Sequence, residues 1–283
     1  MRLSIRHHTT YKYETPAEYA AQILRLTPRP YDGFSILSWR IMTKGPGRLS
    51  TFEDGFGNTS HMHTVAHVHD AVEVNVEGLV ETSDTGGIVR GGNETLPLGA
   101  YLRTTPLTFP SAAIEKLATE AGALESRADA LRRLMQLVAG RIEYTKGSTG
   151  VLTTAADALA GEKGVCQDHA HVFISAARAL GIPARYVGGY LCMDGQDAAG
   201  MNAADPVRQQ AGHAWAEAYD GERGWTAFDP ANNTIAGAWH VRTSVGLDYS
   251  SAAPVRGVRR DRGGICGAEF LSVDVQVSRI SGQ

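Results

Sequence analysis

The stretch GEKGVCQDHAHVFISAARALGIPARYVGGYL, residues 161–191, places one cysteine between a glycine-containing turn and a helical run. The apolar residues of this run fall at helical spacing, and Gly181 and Pro183 then end it. The sequence therefore predicts a helix packed into the interior from Val165 to Leu180, with Cys166 at or next to its first turn. The apolar positions of this helix are Val165, Val172, Phe173, Ala176, Ala177 and Leu180.

Cys166 is either a buried filler or a nucleophile. The unpaired N–H groups and the dipole at a helix N-terminus favour an anion, which a thiolate provides. The same N–H groups would face the oxyanion that forms when the sulfur attacks an amide carbonyl. Gly164 would let substrate backbone come close. Because a lone helix cysteine is more often packing material, the choice depends on partner residues.

Two candidate partners lie on consecutive predicted strands, HAWAEAYD and GWTAFD, which begin at His213 and end at Asp229. If the hairpin folds about Gly221, His213 and Asp229 are direct cross-strand neighbours on one face, about 5 Å apart at their Cβ atoms. In that arrangement the imidazole takes the thiol proton and the carboxylate orients the ring. Cys166, His213 and Asp229 are therefore the candidate catalytic residues. The alternative is a histidine and an aspartate paired on a sheet surface.

The composition is typical of a globular protein, with 283 residues, 43% hydrophobic and 20% charged. The 27 basic and 30 acidic residues are mixed along the chain, so a nucleic-acid partner is not expected. One basic run, VRGVRRDR at 255–262, is predicted to be a solvated loop.

The N-terminal residues form no signal-peptide pattern, and no segment reaches the roughly 18 apolar residues of a membrane span. We therefore expect a cytoplasmic protein with no membrane partner. Cys166, Cys192 and Cys266 are too widely spaced for a disulfide framework or a CxxC metal site, so each is expected to be a thiol. We expect neither a cofactor nor a metal.

The chain divides into two predicted domains of an α+β protein. Residues 1–105 form short alternating strands, as in AVEVNVEGLVE, separated by turns such as EDGFGN. Residues 106–283 begin with helices. Ser111 precedes the first, and the pairs Ser126/Asp129 and Thr154/Asp157 resemble capping boxes. Further strands follow residue 183, and a last strand is predicted at FLSVDVQVSRI.

The stretch HMHTVAHVHD places His61, His63, His67 and His69 on one face of a single predicted strand, where neighbouring histidines can share a metal. With no acidic or cysteine partner at comparable spacing, an exposed polar face is the favoured interpretation.

The stretches GVCQDHAH, LGIPARYVGGYL, HAWAEAY and GWTAFDPANN resemble the core of the transglutaminase-like superfamily, closest to its bacterial branch of candidate cysteine proteases. HHTTYKY, ILRLTPRP and DGFGN resemble the N-terminal domain of that branch. The resemblance implies a β-sandwich-like first domain and a papain-like core. It places the nucleophile on Cys166, the base on His213 and the orienting acid on Asp229.

Other residues of these motifs receive weaker assignments. Gln167 and Asp168 follow the nucleophile and are candidates for substrate binding, although Asp168 is also suited to the helix N-terminus. Trp215 is a candidate for substrate binding; with Trp225 and Tyr190 it would form a wall that excludes acceptors, but aromatic strand residues are usually core. His169, where the family usually has an aromatic, and His171 are expected to be structural.

Three functions remain open at this point. A cysteine-dependent hydrolase of peptides or small amides, acting through a thioester, is favoured because all three required residue types are present. Acyl transfer to an amine shares the first half-reaction and differs only in the acceptor. A binding protein that keeps the fold without chemistry is the third. The oligomeric state has no sequence signature.

Overall fold

The computed structural model describes residues 1–45, 47–92, 94–193, 212–263 and 267–280. These residues form two main antiparallel sheets and a layer of helices. The helices are α1 (Ala112–Gly122), α2 (Arg127–Arg141), α3 (Ala155–Gly161), α4 (Cys166–Ala179) and α5 (Tyr249–Ala252). No helix among the described residues combines the length and the apolarity needed to cross a membrane.

The first sheet is organised around the long strand β1 (Arg2–Thr27). Its first half lies between β5 and β15, and its second half lies between β4 and β14. The strands of this sheet are β1, β2 (Phe34–Lys44), β3 (Arg48–Glu53), β4 (Thr59–Val65), β5 (His69–Thr82), β14 (Val255–Asp261) and β15 (Glu269–Ile280). Val72, Val74 and Val76 are buried, as their alternation predicts. A strand-rich N-terminal region is thus present, while its division into two sandwich layers stays a prediction.

The expectation of a solvated loop at 255–262 is wrong, because Val255–Asp261 forms strand β14 along β1. Arg256 and Arg260 are exposed on one side of this strand, while Arg259 and Asp261 on the other side form a largely buried ion pair at 2.9 Å. Gly257 permits the close pairing, since a Cβ there would lie 2.6 Å from the Ala21 carbonyl oxygen. The predicted last strand is present as β15, and it too returns to the first sheet. The division at residue 105 stays a prediction.

The second sheet carries the strands that follow the helices. Its order is β12-β11-β10-β9-β13, with β6 beside β11. The strands are β6 (Ile88–Val89), β9 (Ala184–Leu191), β10 (His213–Tyr219), β11 (Trp225–Asp229), β12 (Thr234–Ile235) and β13 (His240–Gly246). Two further short strands, β7 (Glu143–Tyr144) and β8 (Lys163–Gly164), form a parallel pair of their own. Ala214, Ala216 and Ala218 of β10 face the helices, and these small side chains let α4 pack closely on the sheet.

The helices begin where the capping residues predict. The Oγ of Ser126 accepts a hydrogen bond from the Asp129 N–H at 3.0 Å, and Oγ1 of Thr154 accepts one from the Asp157 N–H at 3.1 Å. Ser111 caps α1 in the same way. Each cap satisfies one N–H that the first helical turn leaves unpaired.

The first sheet docks against the core through specific bonds and an apolar layer. The side-chain amide of Asn58 both donates to and accepts from the backbone of Val245, each bond being 2.8 Å long. His7 Nδ1 lies 2.8 Å from the Tyr190 hydroxyl. Cys192 is buried in the apolar layer, where its Sγ lies 3.8 Å from the Val277 carbonyl oxygen, and Cys266 lies outside the described residues. These contacts fix the position of β1 relative to β9 and β13.

Candidate active site

Cys166 is the first residue of α4 and is partly exposed, while almost all of the helix behind it is buried. In this first turn the N–H groups of Asp168 and His169 bond to the Val165 carbonyl at 3.0 and 3.2 Å. The N–H groups of Cys166 and Gln167 precede that turn of bonds and emerge from the helix end. They are therefore positioned to stabilise negative charge beside the sulfur.

His213 contacts both other members of the predicted triad. Cys166 and His213 line the same cavity close enough for the sulfur to interact with the imidazole, and His213 Nε2 lies 2.7 Å from Oδ2 of Asp229. Asp229 is completely buried, whereas 12% of the His213 side chain is exposed. Because Nε2 serves the carboxylate, Nδ1 is the ring nitrogen left for the thiol. The structure thus brings together Cys166, His213 and Asp229.

The hairpin register differs from the predicted one. Ala216 pairs with Phe228 and Tyr219 with Trp225, so the hairpin is centred on residue 222 and Asp229 faces the position of Trp215. The prediction that His213 and Asp229 pair directly is therefore wrong. They are diagonal neighbours, and because the displacement is two residues, both stay on the same face of the sheet. A diagonal pair on one face is still within reach of long side chains.

The site holds an ion pair at neutral pH. Burial by itself lowers the pKa of His213, but the charge and hydrogen bond of Asp229, together with the neighbouring Cys166 sulfur, outweigh it and raise the pKa to about 10. Burial would raise the pKa of Asp229, yet the charge of His213 and its hydrogen bond hold that pKa far below its ordinary value. Cys166 thus lies beside a positively charged imidazolium ring.

Asp229 has two further partners that the sequence analysis did not identify. His240 Nε2 lies 3.1 Å from Oδ2 of Asp229, and the Gly237 N–H donates to His240 Nδ1 at 3.2 Å. Since Nδ1 accepts a bond, the ring proton of a neutral His240 lies on Nε2 and is donated to the carboxylate. Asn232 donates to Asp229 from its side-chain amide at 2.7 Å and from its backbone at 3.2 Å.

The two partners differ in how visible they are in the sequence. Asn232 lies in the GWTAFDPANN stretch, three residues after Asp229, where a local turn back to the carboxylate is a usual arrangement. His240 begins β13, at the opposite edge of the sheet from β11 and β12. No periodicity or spacing connects it to Asp229, so only the fold reveals the contact.

The same side chains form a potential metal group. The ligand atoms of His213, Asp229 and His240 lie within 4.8 Å of one another. Among the residues that the structure describes, this is the cluster of histidine and acidic side chains close enough to share a metal ion. Both imidazoles currently use these atoms for hydrogen bonds to Asp229. A divalent cation would have to replace those bonds, so the set suits proton transfer at least as well as metal binding.

Gly164 and Asp168 support the start of α4 instead of facing the cavity beside Cys166. Asp168 Oδ2 accepts hydrogen bonds from the Val165 N–H at 2.7 Å and from Thr149 Oγ1 at 2.6 Å. A Cβ on Gly164 would lie 2.6 Å from the Cβ of Asp168. Gly164 therefore makes room for the capping carboxylate, and both residues are buried.

The other predicted substrate-binding residues lie in two environments. Gln167 lines the cavity beside Cys166, and its side-chain amide donates to the Val151 carbonyl at 3.4 Å. Trp215 is 2% exposed and packs against His213 and His240. Of the three aromatics predicted as a wall, Tyr190 lines the cavity, while Trp215 and Trp225 belong to the sheet interior. Trp225 lies 3.9 Å below the Arg185 guanidinium.

The expectation that His169 and His171 are structural is confirmed. His169 is buried and bonds to the carbonyls of Val165 and Ile142 at 2.8 and 3.0 Å. His171 accepts the Tyr249 N–H at 3.0 Å, and burial lowers its pKa to about 4. Both rings therefore satisfy backbone groups in the core.

The four histidines of HMHTVAHVHD do not share one strand. His61 and His63 lie on β4, His69 begins β5, and His67 lies in the connection between these strands. His61 bonds to the hydroxyl groups of Thr27 and Thr51. The prediction of a single histidine face is wrong because a turn interrupts the alternation at residues 66–68.

A cavity of about 560 Å³ opens in front of Cys166 and His213. The core supplies one wall, which includes Gln167 and Tyr190. Strand β1 and the C-terminal strands β14 and β15 supply the other. The sulfur and the imidazole thus face a space of the size that proteins use for small molecules or peptide side chains.

Comparison with known proteins agrees with this arrangement. Residues 115–230 match the transglutaminase-like superfamily, and residues 3–81 match the bacterial transglutaminase-like N-terminal region. An uncharacterized protein of Mycobacterium leprae is 29% identical over 99% of both chains. One from Mycobacterium tuberculosis is 27% identical over 91% of this chain and 87% of its own length.

A solved structure has the same fold. It is described as a candidate cysteine protease from Cytophaga hutchinsonii, and it superposes with a TM-score of 0.76 at 22% identity, covering 100% of this chain and 92% of the other. The chain therefore carries a transglutaminase-like core at residues 115–230, preceded by a bacterial transglutaminase-like N-terminal region at residues 3–81.

Proposed function

We propose that this protein is a cysteine-dependent hydrolase of peptide or small amide bonds. The single observation that supports it most strongly is the position of His213, which lies beside Cys166 in one cavity and is hydrogen-bonded to Asp229 at 2.7 Å. A buried histidine with a purely structural role does not need a partly exposed cysteine as its second partner. The cavity in front of the sulfur supplies space for the acyl donor.

In the first half-reaction, the Cys166 sulfur attacks the amide carbonyl carbon while His213 holds the thiol proton. The carbonyl oxygen gains the negative charge and lies near the N–H groups of Cys166 and Gln167. The C–N bond then breaks, and His213 returns its proton to the leaving amine. A thioester on Cys166 remains, and Asp229 keeps the ring oriented throughout.

In the second half-reaction, water attacks the thioester carbonyl and gives its proton to His213. The C–S bond breaks, the acid leaves, and Cys166 regains its proton or its partnership with the imidazolium. A primary amine in place of the water would give acyl transfer with the same residues. Hydrolysis is the proposal, and the ratio of acid to amide product in the presence of a primary amine tests it against transfer.

Alkylation tests the nucleophile directly. Iodoacetamide near neutral pH is expected to label Cys166 selectively, because the neighbouring imidazolium stabilises the thiolate. Buried Cys192 provides an internal reference in the same protein. His213→Ala should remove the selective labelling, whereas His67→Ala, at an exposed position away from the site, should keep it.

Two results would contradict the proposal. Labelling of Cys166 no faster than that of an ordinary thiol would favour a binding protein that keeps the fold. Equally, intact-mass spectra with no acyl adduct on Cys166 after incubation with a mixed library of peptides and small amides would argue against a hydrolase. An adduct, in contrast, would give the mass of the acyl donor.

A further inference from the structure

We propose that the cavity in front of Cys166 binds the acyl portion of the substrate through a large, uncharged apolar or aromatic side chain. This inference rests on the proposed function, because it assigns the substrate class of that same site. The inward face of strand β15 continues past the packed interface and into the cavity. Val275 and Val277 are buried between the sheet and the core, whereas Leu271 and Val273 line the cavity.

The two residues at the cavity are exposed although their neighbours on the same face are not. Leu271 is 58% exposed and Val273 is 37% exposed. Apolar side chains that extend a buried face into an open cavity are typical of a surface that a ligand covers. Because Cys166 and His213 line the same cavity, a group that covers Leu271 and Val273 shares that space with the reacting sulfur.

The remaining lining is aromatic and nearly free of charge. Tyrosines line the cavity at positions 11, 144, 186, 190 and 249. Among the described lining residues no carboxylate occurs, and Lys146 is the sole lysine, at an exposed position. Away from the Cys166–His213 pair, a charged side chain would lose its water here without gaining a buried counter-charge, which is unfavourable. Aromatic and aliphatic side chains lose no such solvation and gain apolar contacts.

The N-terminal sheet also contributes a neutral polar group. His7 of β1 bonds to the Tyr190 hydroxyl at 2.8 Å and to Thr9 Oγ1 at 2.6 Å. Burial lowers the pKa of His7 to about 4, so the ring is uncharged near neutral pH. It therefore adds no positive charge that would attract an acidic substrate. The first sheet thus completes the substrate pocket in addition to covering the core.

The test uses 4-nitrophenyl esters of N-acetylated phenylalanine, leucine, lysine and glutamate as acyl donors for the full chain. Release of 4-nitrophenolate gives kcat/KM, and intact mass identifies the acyl group on Cys166. The phenylalanine and leucine esters are expected to exceed the lysine and glutamate esters by about ten-fold or more. Equal rates for the four esters, or faster reaction of a charged ester, would overturn this inference.

Substitutions on β15 then locate the pocket. Leu271→Glu should shift the lysine-to-phenylalanine ratio toward lysine by about ten-fold, and Val273→Glu should act in the same direction. Phe270→Glu is the matched control, because Phe270 is 63% exposed, lies next to Leu271 and is outside the cavity lining. An unchanged ratio in both cavity variants, or an equal shift in the control, would overturn the inference.

These experiments distinguish failure of the pocket assignment from failure of the hydrolase proposal. If the esters acylate Cys166 without preference for the apolar acyl groups, the pocket assignment alone is overturned. If no ester acylates Cys166 and His213-dependent iodoacetamide labelling is also absent, the hydrolase proposal is overturned and the pocket assignment with it.

Discussion

His240 donates its Nε2–H to Oδ2 of Asp229 across 3.1 Å, and this is the oxygen that His213 contacts at 2.7 Å. One buried carboxylate oxygen therefore holds two imidazoles, and Asn232 adds a third side-chain donor to the same atom. Partners of this kind fix the orientation of a carboxylate that in turn orients a catalytic ring. His240 is thus a positioning residue for the His213–Asp229 pair.

Replacing His240 should impair turnover more than binding. His240→Ala leaves Asp229 with one donor fewer, and we expect kcat to fall about ten-fold or more with little change in KM. His240→Gln, whose amide N–H can reach the carboxylate, should recover a substantial part of kcat. Steady-state kinetics with a reactive acyl ester measures both constants. Parallel losses of kcat in the two variants, tracking only their thermal stability, would contradict a positioning role.

The raised pKa of His213 predicts how stability depends on pH. Its pKa is about 10 in the folded protein and near 6.5 when unfolded, so the folded state retains a proton that the unfolded state releases. The contribution is fully present below pH 6.5 and is lost as pH rises toward 10. Between these values the free energy of unfolding should fall by up to about 1.4 kcal/mol for each pH unit.

His213→Gln removes this titration, so urea unfolding between pH 7 and 9.5 should show a flatter dependence than in the wild-type protein. Asp229 contributes with the opposite sign, since its pKa is depressed: its stabilisation is present above about pH 4 and is lost in acid. The variant His67→Ala, at an exposed position, is the control. Equal slopes in the wild type and His213→Gln would contradict an imidazolium at position 213.

The alternation of side chains along a strand explains why the candidate site could be predicted although the register of the β10–β11 hairpin could not. His213 and Asp229 both carry odd numbers, and any even displacement of the hairpin keeps them on one face. The loop between Tyr219 and Trp225 sets the displacement through its turn conformation, with Gly221 and Gly224 at positive φ. Several loop conformations are compatible with that sequence. The local pattern therefore predicts that His213 and Asp229 share one face of the sheet, but not which residues of the two strands pair.

The sequence predicts the local features of the fold better than the contacts between distant residues. Caps such as Ser126 and Thr154 depend on atoms three residues away, and the sequence predicts them well. His240 reaches Asp229 across the sheet, and the arginine-rich strand β14 pairs with β1 more than 230 residues earlier. Contacts of such long range leave no periodic signature, and charge on an edge strand resembles a loop.

A second buried charge cluster supports the strand that carries His213. Glu217 is completely buried on β10 and accepts hydrogen bonds from Arg185 at 2.6 Å and from Arg242 at 2.9 Å. Glu217→Ala leaves the fully buried Arg185 with Glu94 as its remaining carboxylate. We expect the free energy of unfolding to fall by about 3–5 kcal/mol, measured by urea titration.

The matched control is Glu94→Ala, because the Glu94 side chain is 39% exposed and its pair with Arg185 is partly screened. Its loss should be about 1 kcal/mol or less. Similar losses in the two variants would mean that burial of the Glu217 charge pair does not dominate the stability of this region.

Gly164 links the start of α4 to the reactivity of Cys166. In Gly164→Ala the new Cβ would lie 2.6 Å from the Asp168 Cβ, near the stem of that side chain, so Asp168 has little freedom to rotate away. The capping bond from Val165 N–H to Asp168, now 2.7 Å, should lengthen or break and shift the first turn that carries the sulfur. We expect a stability loss of about 1–2 kcal/mol and a larger relative loss of Cys166 labelling by iodoacetamide.

Gly161→Ala is the control, since no heavy atom lies within 4 Å of a Cβ there. Full labelling in Gly164→Ala would mean that the Asp168 cap is not needed to position the nucleophile.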